Sequence, residues 1–165
     1  MAMFRYCERG FTLVEMLVTV TLIGILLAIA APGMRQLSLN QGVKTAAFDI
    51  FSALIYARSE AIKRPGETVT LLPASTSSGQ WLTSFKVTDG AGDTLRTWNV
   101  PSSIKLTDKN STPVTSVVFG KDGHLTVTPK LEINLASSVN GVSPRCVRVD
   151  LTGRPYSALG TCPAP

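Results

Sequence analysis

The sequence predicts an α+β fold: one long N-terminal helix whose first half is transmembrane, followed by a domain of antiparallel strands. Three observations carry this. From Phe11 to Ala31 the chain is apolar, with Glu15 as its one ionisable side chain. That run holds about 21 residues and would make a helix about 31 Å long, enough to cross a bilayer core. From about Met34 to Lys63, apolar residues return every three or four positions. Beyond Pro65 the chain breaks into short runs rich in β-branched and aromatic residues, separated by turn formers.

The first element is defined by the charge it tolerates. An acidic side chain near the centre of a membrane helix costs roughly 3 kcal/mol on insertion scales, and less near the end. Either Glu15 lies close enough to the interface to be tolerated, or it awaits a positive partner. A cut after Gly10 would create such a partner, an α-amine on Phe11 four residues from Glu15. The carboxylate of one subunit could then neutralise the amine of its neighbour in lipid.

The helical pattern continues past the apolar run. Ala47, Ile50, Phe51, Leu54, Ala57 and Ala61 fall on one face, and Phe48, Ile55 and Ile62 widen it. Lys44, Asp49, Ser52, Ser59 and Lys63 fall mostly elsewhere. Pro32 removes a backbone donor and is expected to kink the helix, while Gly42 weakens it without breaking it. Arg64-Pro65-Gly66 ends it. Strands are expected at Thr68–Leu72, Trp81–Val87, Leu95–Val100, Ser116–Phe119, Leu125–Val127, Leu131–Leu135 and Cys146–Leu151. Asp89-Gly90-Ala91-Gly92-Asp93 reads as a hairpin loop, Asp122-Gly123 as a tighter one, and Pro73–Gly79 as an exposed loop.

The N-terminal residues resemble the class III signal of type IV pilins and type II secretion pseudopilins. A short basic leader with Arg5 and Arg9 precedes Gly10, Phe11, Glu15, the apolar run and Pro32. The resemblance implies cleavage between Gly10 and Phe11 by the prepilin peptidase, N-methylation of Phe11, and a Glu15 needed for assembly. It places the leader in the cytoplasm and the C-terminal part outside. Two plainer readings compete. Ala28-Ile29-Ala30 resembles the cleavage site of a secretory signal peptide, although the apolar run is longer than usual and opens with an acid. A simple single-span anchor explains the length but not Gly10-Phe11 or Glu15.

Further in, Tyr56-Ala57-Arg58-Ser59-Glu60-Ala61-Ile62-Lys63-Arg64 and the Phe119-Gly120-Lys121-Asp122-Gly123 turn resemble FimT/GspH-type minor pilins. That subgroup implies a β-sandwich leaning on the helix. The expected organisation is a leader over 1–10, a transmembrane and filament-core helix over 11–31, its amphipathic half over 32–64, and a β-rich domain over 65–165. Cys7 lies in the leader and is lost with it. Cys146 and Cys162 remain as an even pair in the part expected outside the cytoplasm, where disulfides persist. A bridge between them would add roughly 3 kcal/mol by the chain-entropy model; the alternative is two free thiols.

Composition argues against other classes. The net charge of +5 falls to +4 when a leader bearing two arginines and one glutamate is removed. That balance permits binding to anionic surfaces without demanding it. His124 is the one histidine and follows a turn glycine, which suits an exposed loop position better than a general base. No metal-ligand spacing and no glycine-rich phosphate cradle is present, so neither a metal site, a cofactor nor NTPase chemistry is expected.

The C-terminal end is the more informative surface. In Cys146-Val147-Arg148-Val149-Asp150-Leu151, alternation puts Val147, Val149 and Leu151 on one face and Cys146, Arg148 and Asp150 on the other. After Thr152-Gly153, Arg154-Pro155-Tyr156 begins a return segment toward Cys162. Arg145, Arg148 and Arg154 form a candidate basic patch for double-stranded DNA, with Tyr156 available to stack. Alternatively Arg148 pairs with Asp150 or a neighbour and Tyr156 covers the core edge. DNA-binding FimT-type pilins carry a Gly-Arg-x-Arg motif; Gly153-Arg154-Pro155-Tyr156 matches its first arginine and replaces the second by tyrosine.

The resemblance therefore implies a minor pilin that works by assembly, not catalysis. Its expected partners are other minor and major pilins, the prepilin peptidase, the inner-membrane assembly platform and membrane lipid. Its expected location is the inner membrane, with the domain in the periplasm, and then the filament, where it primes or caps the tip in pilus biogenesis and twitching motility. The alternatives are a DNA-binding minor pilin of natural transformation and a minor pseudopilin of type II secretion.

Overall fold

A computed structural model gives the fold, described here for residues 11–64, 66–73, 84–101, 103–108, 115–126, 131–137 and 139–163. The chain divides into two compact units, Met1–Arg35 and Gln36–Pro165. Helix α1, Leu13–Lys63, enters both. It continues past Pro32 and ends before Arg64, where Gly66 takes a φ of 98° that suits a residue without Cβ.

In the first unit, every described side chain from Phe11 to Ala30 is exposed. The window Leu13–Ala30 has a mean hydropathy of 2.5 and is long and apolar enough to cross a membrane. A continuous apolar surface of this size needs lipid or another protein to cover it. The expected leader, with Gly10, lies outside the described residues.

In the second unit α1 turns a stripe inward. Val43, Ala46, Ala47, Ile50, Ala53, Leu54, Ala57 and Ala61 are all buried, at the three- and four-residue spacing of one helical face. The expected stripe is thus right in position but shifted in membership. Val43, Ala46 and Ala53 belong to it, Phe51 is only half-buried, and Phe48, Ile55 and Ile62 are exposed.

The strands form two antiparallel four-stranded sheets. The first has the order β3-β2-β1-β5, from β1 (Val69–Pro73), β2 (Ser84–Thr88), β3 (Thr94–Asn99) and β5 (Val117–Phe119). The second has the order β4-β6-β7-β8, from β4 (Ile104–Asp108), β6 (Leu131–Ser137), β7 (Arg145–Val149) and β8 (Pro155–Leu159). Alternation supplies the core: Val69 and Leu71, Phe85 and Val87, and Leu131, Ile133 and Leu135 are buried while the residues between them are half-buried. One cluster joins these residues to the α1 stripe and to Val147 and Val149. The architecture is a long helix packed on antiparallel sheets, as expected.

Five of the expected strands are found with bounds shifted by one or two residues where described; residues 81–83 and the loop residues 74–79 lie outside the described residues. Leu125 makes a single bridge to Phe119, and Val127 is not described. Cys146–Leu151 is corrected: β7 stops at Val149, and Leu151 sits 44% exposed in a turn, not on the core face. Two strands, β4 and β8, go beyond the sequence expectation. Asp89–Asp93 is the β2–β3 turn, closed by Gly92 N–H to Asp89 O at 3.0 Å. Arg64 ties the helix end to this turn, its Nη1 lying 3.3 Å from Asp89 Oδ2. Beside it Glu60 pairs with Lys63 at 3.1 Å, and the Lys63 hydrogen bond holds its carboxyl below the usual range. On β3, Arg96 covers the Trp98 ring at 5.0 Å, and Trp98 stacks on Phe85 with centroids 5.7 Å apart.

Candidate functional site

The mature N-terminus expected from the sequence is built by a reciprocal cap. Thr12, just before the first helical residue, accepts a hydrogen bond on Oγ1 from Glu15 N–H at 3.2 Å. Glu15 Oε2 reaches back to Thr12 N–H at 3.5 Å and to its hydroxyl at 3.4 Å. Thr-Leu-Val-Glu is a capping box, and it satisfies donors that the first helical turn would otherwise leave open. The two contacts made by the carboxylate are long and come from neutral groups, so they hold it loosely and leave it without a cationic partner among the described residues. Phe11, exposed beside the cap, is where the sequence places the cut. This dual position of Glu15, capping its own helix while facing outward, goes beyond the sequence reading, although the Thr-x-x-Glu spacing signals it.

The C-terminal site is positioned by two stacked turns. In the first, Gly120 N–H bonds His124 O at 2.9 Å and Gly123 N–H bonds Gly120 O at 2.8 Å. His124 turns its ring to Asp122 in the same turn, Nδ1 to Oδ2 at 3.2 Å, and the His124 backbone N–H keeps that carboxyl below its usual range. In the second, Gly153 N–H bonds Asp150 O at 2.9 Å. Asp150 Oδ1 accepts from the Thr152 hydroxyl and from Arg154 N–H, the latter at 3.1 Å. The Thr152 hydrogen bond is the larger reason that the Asp150 carboxyl is depressed.

The turns meet through their glycines. A Cβ on Gly153 would lie 1.9 Å from Gly123 O, and one on Gly123 would lie 2.9 Å from Ile62 Cδ1 and 3.0 Å from Arg58 Nε. Leu125 N–H bonds Leu151 O at 3.1 Å, joining the two turns a second time. The helix end, the Phe119–Gly123 turn and the Gly153 turn therefore form one joint. Gly153 has a packing reason to be glycine, and Arg154 is aimed from a fixed support.

The expected basic residues straddle the β7–β8 hairpin. Arg145 and Arg148 stand on opposite faces of β7 because their positions differ in parity. Arg148 lies cross-strand from Tyr156 and caps its ring at 4.9 Å. With Arg154, Glu132 and Asp150 they line a recess of about 420 Å³, so two carboxylates enter the cation cluster. Arg145, Arg154 and Tyr156 line a second, larger groove of about 630 Å³ against α1. The α1 side brings Lys44 and Phe48, which the sequence does not connect to this site because about a hundred residues separate them from β7; an exposed Phe off the core stripe is the available signal. Cys146 and Cys162 are bridged, with Cα atoms 4.9 Å apart, and Cys162 N–H bonds Asn134 Oδ1 at 2.7 Å. The bridge anchors the end of the chain to β6 and β7. Among the described residues, no cluster of His, Cys, Asp and Glu is suited to a metal ion.

The family described as type II transport protein GspH matches residues 46–153, and the prokaryotic N-terminal methylation motif matches residues 5–31. Two Pseudomonas aeruginosa sequences described as fimbrial protein are each 28% identical over 159 residues, covering 94% of this chain and 97% of theirs. Crystal structures of the type IV minor pilin FimU of Pseudomonas aeruginosa strain PAO1, in two space groups, share the fold. One superimposes with a TM-score of 0.56 at 18% identity, covering 70% of this chain and 91% of that one. The other covers 69% and 86% at the same TM-score and identity.

Proposed function

The chain belongs to the GspH family of type II transport proteins, and from that premise we propose that it is a minor pilin of a type IV pilus. The observation that carries this reading is the N-terminal methylation motif set on an exposed apolar helix that opens with Glu15. The leader, 1–10, is cut between Gly10 and Phe11, and Phe11 is methylated. Residues 11–31 hold the protein in the inner membrane and later form filament core; residues 32–64 carry the domain over 65–165. Glu15 sets the register of the incoming subunit against the Phe11 amine of its neighbour. As a minor subunit it stands at the tip, where it primes assembly and supports twitching motility. Catalysis has no part in this role.

The experiment is Glu15→Ala in the producing bacterium. Processing at Phe11 is retained, while recovery of the subunit in sheared filaments falls. Undiminished incorporation contradicts the assembly role of Glu15. A second reading, a minor pseudopilin of type II secretion, is favoured by the family description itself. The near full-length match to two sequences described as fimbrial protein supports the pilus instead. Deletion separates them: loss of surface pili with secretion intact supports the pilus, and the reverse outcome supports the secretion reading. Binding of double-stranded DNA by Arg145, Arg148, Arg154 and Tyr156 has weaker support, because Arg148 is already stacked on Tyr156 and the carboxylates of Glu132 and Asp150 share the recess that Arg148, Arg154 and Tyr156 line.

A further inference from the structure

We propose that the groove between α1 and β8 receives an extended acidic segment of a partner polypeptide, added as a strand to the free edge of β8. Main-chain groups, side-chain charge and shape each support this. Among the described residues β8 pairs with β7 alone, so its outer edge is open. Arg154 O and Gly160 N–H bond inward, to Asp150 N–H and Pro144 O. Antiparallel alternation then turns the N–H and C=O of Ser157 outward, and Ser157 lines the groove. An unpaired edge of this kind is a template for another strand.

The groove walls select the occupant. Among the described residues Lys44, Arg145 and Arg154 line it and no carboxylate does. Its apolar surface includes Phe48, 66% exposed, and Tyr156, 53% exposed. A volume of about 630 Å³ suits a few side chains of a strand laid along the edge. A strand alternating carboxylates with apolar side chains would use the cations, the aromatic surface and the open main chain together. A nucleic-acid backbone would use only the cations and leave Phe48 and the Ser157 amide idle. The proposal goes beyond the subunit reading, and its test is separate: peptide binding is measured on purified protein, incorporation in cells.

The test uses the full chain in detergent micelles and a fluorescent peptide of alternating glutamate and valine, followed by anisotropy. Saturable binding is expected, weakened about tenfold or more by Lys44→Glu and by Ser157→Pro, which removes the outward N–H while leaving the bonds to β7. A lysine–valine peptide of equal length is expected not to bind. Hydrogen exchange at the Ser157 amide of the unaltered protein is expected to slow when the acidic peptide is present, which decides the matter if Ser157→Pro unfolds. Absence of saturable binding overturns the proposal. So does unchanged exchange at Ser157, or a folded Ser157→Pro variant with full affinity. A short DNA duplex that binds more tightly than the peptide, sensitive to Lys44→Glu and indifferent to Ser157→Pro, also overturns it in favour of a nucleic-acid site.

Discussion

Gly153→Ala should be the most damaging single methyl group that can be added to the domain's turns. Gly153 has φ of 73°, a region that costs an L-residue roughly 1–2 kcal/mol. The added Cβ would also stand 1.9 Å from Gly123 O and 3.3 Å from the Phe119 ring. Real Cβ contacts stay above about 3.0 Å, so one turn must retreat by roughly 1 Å, against a partner that is backbone and cannot rotate away. Overpacking of that kind adds roughly 1–3 kcal/mol, for a total of roughly 2–5 kcal/mol. Gly160→Ala is the control: its φ of 96° carries the backbone penalty, but nothing lies within 4 Å of the new Cβ. It should cost only roughly 1–2 kcal/mol. Urea unfolding of a fragment spanning 36–165, which contains the whole buried core, measures both under oxidising conditions. Equal losses for the two variants would refute the stacked-turn account.

Three further outcomes follow from the same structure. Cys162→Ser should lower the stability of the 36–165 fragment by roughly 3 kcal/mol, and reductant should do the same to the unaltered fragment. Trp98→Ala should cost roughly 2–4 kcal/mol in the same assay, since the ring packs on Phe85 and Tyr56 and lies under Arg96. The Asp150 carboxyl is depressed in the folded state, chiefly by the Thr152 hydroxyl. Its contribution is therefore present above the unfolded value, about 3.9, and lost as pH falls through the lower folded value. Below about pH 4 the stability of the unaltered fragment should drop more steeply than that of Asp150→Asn, and parallel pH profiles would contradict this.

Elements with strong local chemistry are legible in the sequence, and elements completed by distant partners are not. The length and apolar first half of α1 follow from Phe11 to Ala31, and its stop follows from Arg64-Pro65-Gly66. Central strands such as Leu131–Ser137 alternate cleanly because both neighbours and the core constrain them. The two strands that the sequence does not announce, Ile104–Asp108 and Pro155–Leu159, are the two edges of one sheet. Edge strands tolerate proline and polar side chains, so their pattern is faint. Extending alternation past Val149 puts Leu151 in the core, but the Asp150–Gly153 turn ends the alternation first. At the candidate site, Cys146 and Cys162 form the bridge that their even count suggests. Treating the three arginines as one patch overlooks the parity that separates Arg145 from Arg148, and the helix wall of the groove is remote in sequence.

Under the proposed function this chain is cut before Phe11, methylated there and carried into a filament. Mass spectrometry of sheared surface filaments tests it directly. A chain beginning at N-methylated Phe11 is expected, present well below the abundance of the major subunit. A mature chain beginning at Ala31, or a chain uncut at Gly10 and absent from filaments, would contradict it.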